Sequence, residues 1–230
     1  MNPVVIKAFD LEDAWFKVVK ACMELGYERP VFHGSSKGAI RKEPDYIFIE
    51  ITNPSNRPLI PTTPEGVPAP TSMDYVNRYM QYLTSPYKEE WEDYTYGERM
   101  ASMIEIDKVE GQRISALDFN QLERVIEILK ETPETNRAVI VIGKAEDLVL
   151  EHPPCMITIQ LKVRYGELHM LVVFRSWDAW GGLPSNLAAL QLMKEYIGKE
   201  IGVKDGKIFA TSFGLHVYDG EWEIARKVTG

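Results

Sequence analysis

Apolar residues recur along this chain with two periods, and the periods assign its elements. Leu11, Ala14, Trp15, Val18, Val19, Cys22 and Leu25 share one face at helical spacing. Asp10 stands where an N-cap would be, and Gly26 where a left-handed residue would end the helix. Asp45–Thr52 alternates and is rich in β-branched residues, which predicts a strand. Prolines 54, 58, 61, 64, 68 and 70 then forbid regular structure through a long loop. A short helix over 73–83 is predicted next, capped by Thr71 or Ser72. Residues 84–112 are polar and aromatic with no clean period.

Further on, Asp118 and Gln121 make a capping-box-like start to a helix carrying Leu122, Val125, Ile126 and Leu129, closed by Pro133. Arg137–Ile142 reads as a strand. Met156–Arg164 and Glu167–Arg175 are two β-rich runs split by Tyr165–Gly166, a hairpin signal. Pro184 and Asn186 open a helix carrying Leu187, Leu190, Met193, Tyr196, Ile197 and Ile201, and a last strand runs through Ile208–Val217. Strands and helices mix without βαβ alternation, so the expected class is α+β. The length of 230 residues fits one large domain spanning 1–230.

Composition narrows the function. A formal net charge of −8 argues against gripping nucleic acid through the overall field, while leaving room for a small basic pocket. The apolar stretch Leu11–Leu25 is interrupted by charges, which argues against a signal peptide or a membrane span. Two cysteines, Cys22 and Cys155, fit free thiols in a reducing, cytoplasmic setting. The four histidines are scattered and no ligand spacing suggests a metal site.

Cys155 follows Pro153–Pro154, a rigid turn at a strand start, and could either face a cleft or simply fill space as a small apolar residue. Arg175, Ser176 and Asp178 end a very apolar strand, where charge needs a partner or a ligand. An arginine near a cysteine favours the nucleophilic thiolate. Each feature taken singly also fits a strand end with an Arg–Asp ion pair and a helix cap at Ser185.

In their order these residues resemble the thymidylate synthase family, most clearly over 94–220. The motifs are Pro153-Pro154-Cys155, then Arg175-Ser176-Trp177-Asp178, Gly182-Leu183-Pro184-Ser185-Asn186, and His216-Val217-Tyr218. The helix at 119–131 with Pro133–Arg137, and the segment Tyr94–Arg99, also correspond. The short length resembles archaeal members. The resemblance implies a mixed β-sheet packed with helices, and a methyltransferase that methylates dUMP at C5.

By that resemblance Cys155 attacks C6 of the pyrimidine. Arg175 and Ser176 bind the 5′-phosphate, and Arg137 reaches the same phosphate from the other subunit of a homodimer. His216 and Tyr218 hold the sugar 3′-hydroxyl, Asp178 orients base and pterin, and Tyr96 belongs to a segment lying over the nucleotide. Asn186 matches the N3–H donor and O4 acceptor of uracil, where relatives acting on cytosine carry Asp. The one-carbon donor implied is 5,10-methylene-tetrahydrofolate or 5,10-methylene-tetrahydromethanopterin.

The chain also departs from the pattern. Met156 stands where the family has His after the cysteine, Phe174 replaces a Gln, and Asn136–Arg137 replaces an Arg pair. Tyr79 aligns with the family's catalytic Glu, and Lys37 or Arg41 would charge an early Gly-Ser-Lys loop. Two alternatives follow from these departures: a dUMP hydroxymethylase, in which water captures the intermediate, and a nucleotide-binding paralogue without turnover. A cysteine hydrolase pairing Cys155 with His152 or His216 has little in its favour.

Overall fold

The computed structural model describes residues 2–100 and 120–230. Two sheets and six helices are present among them. The first strand, β1 (Pro3–Ala8), leads to helix α1 (Leu11–Leu25), whose N-terminus Asp10 caps by accepting from the Asp13 amide at 2.9 Å. Gly26 ends α1 differently from expectation. Its φ is −75°, an extended conformation, and the glycine answers to crowding instead, because a Cβ there would lie 2.3 Å from the Cys22 carbonyl oxygen.

A hairpin follows, β2 (Tyr27–Pro30) and β3 (Ile40–Glu43), and then β4 (Tyr46–Ile51), which falls inside the predicted strand. Its Ile47, Ile49 and Ile51 are buried, the inward half of the alternation. The proline-rich stretch is irregular, and helix α2 (Met73–Thr84) begins with Ser72 as cap, its hydroxyl accepting from the Tyr75 amide at 3.2 Å. A short helix α3 (Tyr96–Met100) was not legible in the periodicity.

Asp118 lies outside the described residues. Helix α4 (Gln121–Glu131) is capped by Asn120, which accepts from the Leu122 and Glu123 amides. Gln121 does not serve a capping box, because its side chain is engaged elsewhere. It donates to the Arg99 and Val141 carbonyls and accepts from the Val141 amide, tying α4 to the next strand, β5 (Val139–Val141).

The hairpin β6 (Met156–Arg164) and β7 (Glu167–Phe174) turns through Tyr165 and Gly166 at φ 55° and 77°, the two positive values of a type I′ turn. After a two-residue strand, β8 (Trp177–Asp178), helix α5 (Gly182–Ile201) carries 12 buried residues and lies at the centre of the molecule. The predicted last strand is two strands, β9 (Lys204–Ser212) and β10 (Leu215–Tyr218), and helix α6 (Trp222–Thr229) ends the chain.

The large sheet has the order β1-β4-β9-β7-β6-β5, with β1–β4 and β7–β9 parallel and the other pairs antiparallel. The small sheet has the order β2-β3-β10-β8. The break between β9 and β10 is what moves the chain from one sheet to the other. The Gly214 amide donates to Ser212 Oγ at 3.1 Å, and a Cβ at Gly214 would lie 2.7 Å from the Arg175 carbonyl oxygen. The Gly214 carbonyl in turn accepts from the Trp177 amide at 3.0 Å. This α+β architecture sets the ends of β6, β7, β8 and β10 close together.

Candidate active site

The hairpin brings Cys155 and Arg175 face to face. Over most of its length β6 pairs with β7 in one register, but an irregularity between Met156 and Thr158 shifts the pairing so that Met156 faces Phe174. The residues just beyond, Cys155 and Arg175, then meet, and the Arg175 amide donates to the Cys155 carbonyl at 2.8 Å. The guanidinium folds back over the proline turn, donating from Nε to the Pro154 carbonyl at 2.8 Å and from Nη2 to the Pro153 carbonyl at 2.6 Å. That clamp leaves Nη2 3.8 Å from Cys155 Sγ. The Pro-Pro pair therefore supplies two carbonyl acceptors that aim a cation at the thiol.

Burial pushes the Cys155 thiol above its ordinary range and the Arg175 charge opposes the rise. Cys22 is fully buried, and burial pushes its thiol up further, so it is inert packing. A cluster of tyrosines packs beside Cys155. Tyr96 is buried at the start of α3, and its hydroxyl accepts from the Met156 amide at 3.2 Å. Tyr94 packs against it with ring centroids 5.6 Å apart. Tyr79, the residue aligned with the family's Glu, stacks on Tyr75 and Tyr82 and meets Tyr96 edge-on, and burial pushes its phenol well up. It is a neutral aromatic wall and cannot do a carboxylate's proton transfers near neutral pH.

Across the site lies the start of α5. The Asp178 carboxylate accepts from three backbone amides, those of Trp180, Gly181 and Gly182, at 3.0, 3.0 and 2.9 Å. It thereby does the capping, whereas Ser185 is buried within the first turns and donates to the Thr71 hydroxyl and the Gly181 carbonyl. No Arg175–Asp178 ion pair is needed to explain either charge. Asn186 projects from the second turn, and its Oδ1 accepts from the Trp177 indole at 2.8 Å. A cavity of about 720 Å³ opens here, lined by Asp178, Gly181, Gly182 and Asn186 on one side and by Thr71 and Arg78 among others on the opposite side. The end of the proline-rich loop thus forms one of its walls.

The third component comes from the small sheet. His216 pairs in register with Asp178 on the neighbouring strand, and its Nδ1 lies 2.7 Å from the Gly214 carbonyl. The nitrogen facing a carbonyl carries the proton, so Nε2 is an acceptor. That Nε2 is buried and has no partner among the described residues. Burial, helped by the Arg41 charge, holds the imidazole below its usual pKa and so neutral. Tyr218 stands edge-on to the ring at 4.6 Å between centroids, half-buried, with Arg41 opposite it on β3. Arg41 pairs with Glu43 at 2.7 Å, and Lys37 is exposed in the loop joining β2 to β3. Ser176 is half-buried between Arg175 and the Trp177 pairing.

Arg137 is not brought to this cluster within the protomer. By continuing the pairing of Val139 with Gln160, it stands opposite Lys162, seven residues along β6 from Cys155, or ~23 Å at the rise of a strand. Sequence reasoning left the variable position of Arg-Ser-x-Asp unassigned, and Trp177 proves to touch Asn186 directly. The cavity wall of Thr71, Ser72, Tyr75 and Arg78 was also missed, although the capping signal at Ser72 placed that helix correctly. Among the described residues no group of three or more His, Cys, Asp or Glu could hold a metal ion, and no helix is long and apolar enough to cross a membrane.

Comparison with known proteins bears on the same region. The family model described as thymidylate synthase matches residues 75–229. A Methanosarcina acetivorans protein is 29% identical over 227 residues, covering 97% of this chain and 94% of its own length. A Methanosarcina mazei protein is likewise 29% identical over 228 residues with the same coverage. A Methanothermobacter marburgensis protein is 26% identical over 235 residues, covering 97% of this chain and 96% of its own length. Each of these archaeal proteins bears the name "Putative thymidylate synthase".

Proposed function

This chain belongs to the thymidylate synthase family, a family of methyltransferases that draw on a folate-type one-carbon donor, and on that premise we propose that it converts dUMP to dTMP through a covalent adduct at Cys155. The observation that carries the reading is the Arg175 guanidinium clamped 3.8 Å from Cys155 Sγ, three residues before Asp178, which lines a cavity together with Asn186.

In this reading Sγ adds to C6 of uracil and its electron pair passes to C5 as an enolate. C5 attacks the methylene that bridges two nitrogens of the reduced pterin, breaking one C–N bond, and loss of the C5 proton then expels the second nitrogen to leave an exocyclic methylene. Hydride from the pterin reduces that methylene, the thiolate leaves C6, and dTMP departs with a dihydropterin. Burial raises the thiol's pKa and the Arg175 charge opposes the rise, so the thiol gives its proton to solvent and Arg175 favours the thiolate that adds to C6. Arg175 and Ser176 meet the phosphate, and Asp178 orients base and pterin through the helix start it caps. The acceptor Nε2 of His216 and the hydroxyl of Tyr218 take the sugar 3′-hydroxyl, which supports the reading because that buried nitrogen otherwise has no partner among the described residues. Tyr96 holds the backbone next to Cys155 and closes the nucleotide from above.

A homodimer completes the site. Arg137 is too far from Cys155 to serve its own protomer, and the open face of the large sheet carries Lys162, Arg164 and Lys207 around a cavity of about 660 Å³. The donor is 5,10-methylene-tetrahydrofolate or 5,10-methylene-tetrahydromethanopterin, and the setting is cytoplasmic. The reading is tested with 5-fluoro-dUMP, whose C5 substituent cannot leave as a cation. Intact-mass analysis after incubation with each methylene pterin is expected to show a stable ternary adduct, mapped by proteolysis to Cys155. Absence of an adduct with either pterin, or one mapped elsewhere, would sink the reading.

A further inference from the structure

An asparagine side chain cannot by itself tell uracil from cytosine. Its amide is nearly symmetric in shape, and a half-turn about its last bond exchanges the Oδ1 acceptor for the Nδ2 donors. One orientation offers an acceptor to N3–H and a donor to O4, which matches uracil. The reversed orientation offers a donor to N3 and an acceptor to the N4 amine, which matches cytosine. Selectivity therefore depends on whatever forbids the half-turn.

Here that group is identifiable. The Trp177 indole nitrogen donates and cannot accept, and it lies 2.8 Å from Asn186 Oδ1. Turning the amide over would set Nδ2 against the indole N–H, donor against donor, with the indole hydrogen bond lost. The indole cannot rotate away. Trp177 is 2% exposed, and its ring is stacked on Phe174 at 3.9 Å between centroids and 5° between planes. Its own backbone is pinned as well, by pairing between β8 and β10. Oδ1 retains a second lone pair, and Asn186 lines the cavity beside Asp178.

We propose that Trp177, held by Phe174, is a positioning residue that locks the Asn186 amide in the orientation complementary to uracil and against cytosine. The proposal rests on Asn186 reading the base of a pyrimidine nucleotide, as the proposed function has it. Leaving one buried donor unpaired in the reversed orientation costs enough to disfavour the cytosine match by roughly 10- to 100-fold.

The test is a double-mutant cycle read by isothermal titration calorimetry, with dUMP and dCMP titrated separately into wild type, Trp177→Phe, Asn186→Asp and the double variant. Trp177→Phe keeps the ring stack and deletes the N–H. The expected result is a dUMP-to-dCMP affinity ratio that falls by about 10-fold or more in Trp177→Phe, chiefly through tighter dCMP binding. In the Asn186→Asp background the same substitution leaves the ratio unchanged, because a carboxylate has no donor end to misplace. A merely structural role for Trp177 would move both backgrounds together, and that result would overturn the proposal, as would an unchanged ratio in Trp177→Phe. If Trp177→Phe fails to fold, β-(3-benzothienyl)alanine at position 177 keeps the bicyclic shape with sulfur in place of N–H, and the same two outcomes decide. Wild type that binds neither nucleotide would overturn the functional reading itself, and the lock with it.

Discussion

Asp178 gives the sharpest quantitative test, because the structure assigns it a structural task that can be separated from any contact with substrate. Its two oxygens take the amides of Trp180, Gly181 and Gly182, at 2.9 to 3.0 Å, and among the described residues no other side chain caps α5. A hydrogen bond to a charged group contributes ~1.5–3 kcal/mol, and an N-cap substitution alone costs ~0.5–2 kcal/mol. Asp178 is half-buried, which moves each bond towards the lower end of its range. Asp178→Ala removes all three and leaves the glycine amides without a partner, for an expected loss of ~3–4 kcal/mol. Asp178→Asn keeps one oxygen for Gly181 and Gly182 and turns Nδ2 against the Trp180 amide, for an expected loss of ~1–2 kcal/mol. Urea unfolding followed by far-ultraviolet circular dichroism would measure both. A loss below ~1 kcal/mol for Asp178→Ala, or equal losses for the two variants, would refute the capping argument. If Asp178→Asn keeps most of its stability yet loses turnover by far more than its folded fraction, the carboxylate also meets the substrate.

Cys155→Ser should abolish turnover while dUMP binding by calorimetry stays within severalfold of wild type; loss of folding would instead mark the thiol as packing. Because burial raises the Cys155 thiol, the nucleotide-free protein should be alkylated by iodoacetamide about tenfold faster per pH unit up to pH ~9, and a plateau below pH 8 would contradict the burial argument. Asn186→Asp should move the ratio of kcat/KM from dUMP towards dCMP by at least about tenfold, and an unchanged ratio would show that Asn186 does not read the base. Asp205→Ala strips the fully buried Lys194 of an ion pair at 3.1 Å, for an expected loss of ~3 kcal/mol at pH 7. Burial holds Lys194 below its usual pKa, so the folded variant binds fewer protons than the unfolded chain and its deficit should shrink as pH rises towards 9.5. A deficit that does not change with pH would contradict that assignment.

What the sequence disclosed depended on whether a local rule decides the structure. The hairpin was legible because Tyr165–Gly166 is a two-residue turn flanked by alternating runs, α1 and α2 because period and N-cap agree, and β4 because its apolar residues alternate; α5 was found from its apolar run although Asp178, and not Ser185, caps it. The split of Ile208–Val217 was hidden, since only the distant Arg175 carbonyl makes the backbone turn at Gly214. Likewise β2 and β3 lack a strong period and take their conformation from neighbours, and α6 has a helical period that was missed because it spans only eight residues. The Asp118 cap lies outside the described residues, and Asn120 does that work because its amide oxygen reaches two backbone donors.

The site divides the same way. Ordered motifs singled out Cys155, Arg175, Asp178, Asn186, His216 and Tyr218, and the fold brings Cys155 against Arg175, Asp178 into register with His216, and His216 against Tyr218. Their mutual roles were not legible. That Arg175 is aimed by proline carbonyls, that Asp178 spends its lone pairs on amides, and that Trp177 faces Asn186 are all properties of geometry. Arg137 shows the converse, a residue with a motif-based role that its own protomer does not bring to the cluster.

Reductive methylation of dUMP is decided by the product formed. Purified protein would be incubated with dUMP and each methylene pterin in turn, and the nucleotide and pterin analysed by mass spectrometry. The expected result is dTMP with an equimolar dihydropterin from at least one donor, and none from the Cys155→Ser variant. Hydroxymethyl-dUMP with an unoxidised pterin, or unchanged dUMP with both donors, would contradict it.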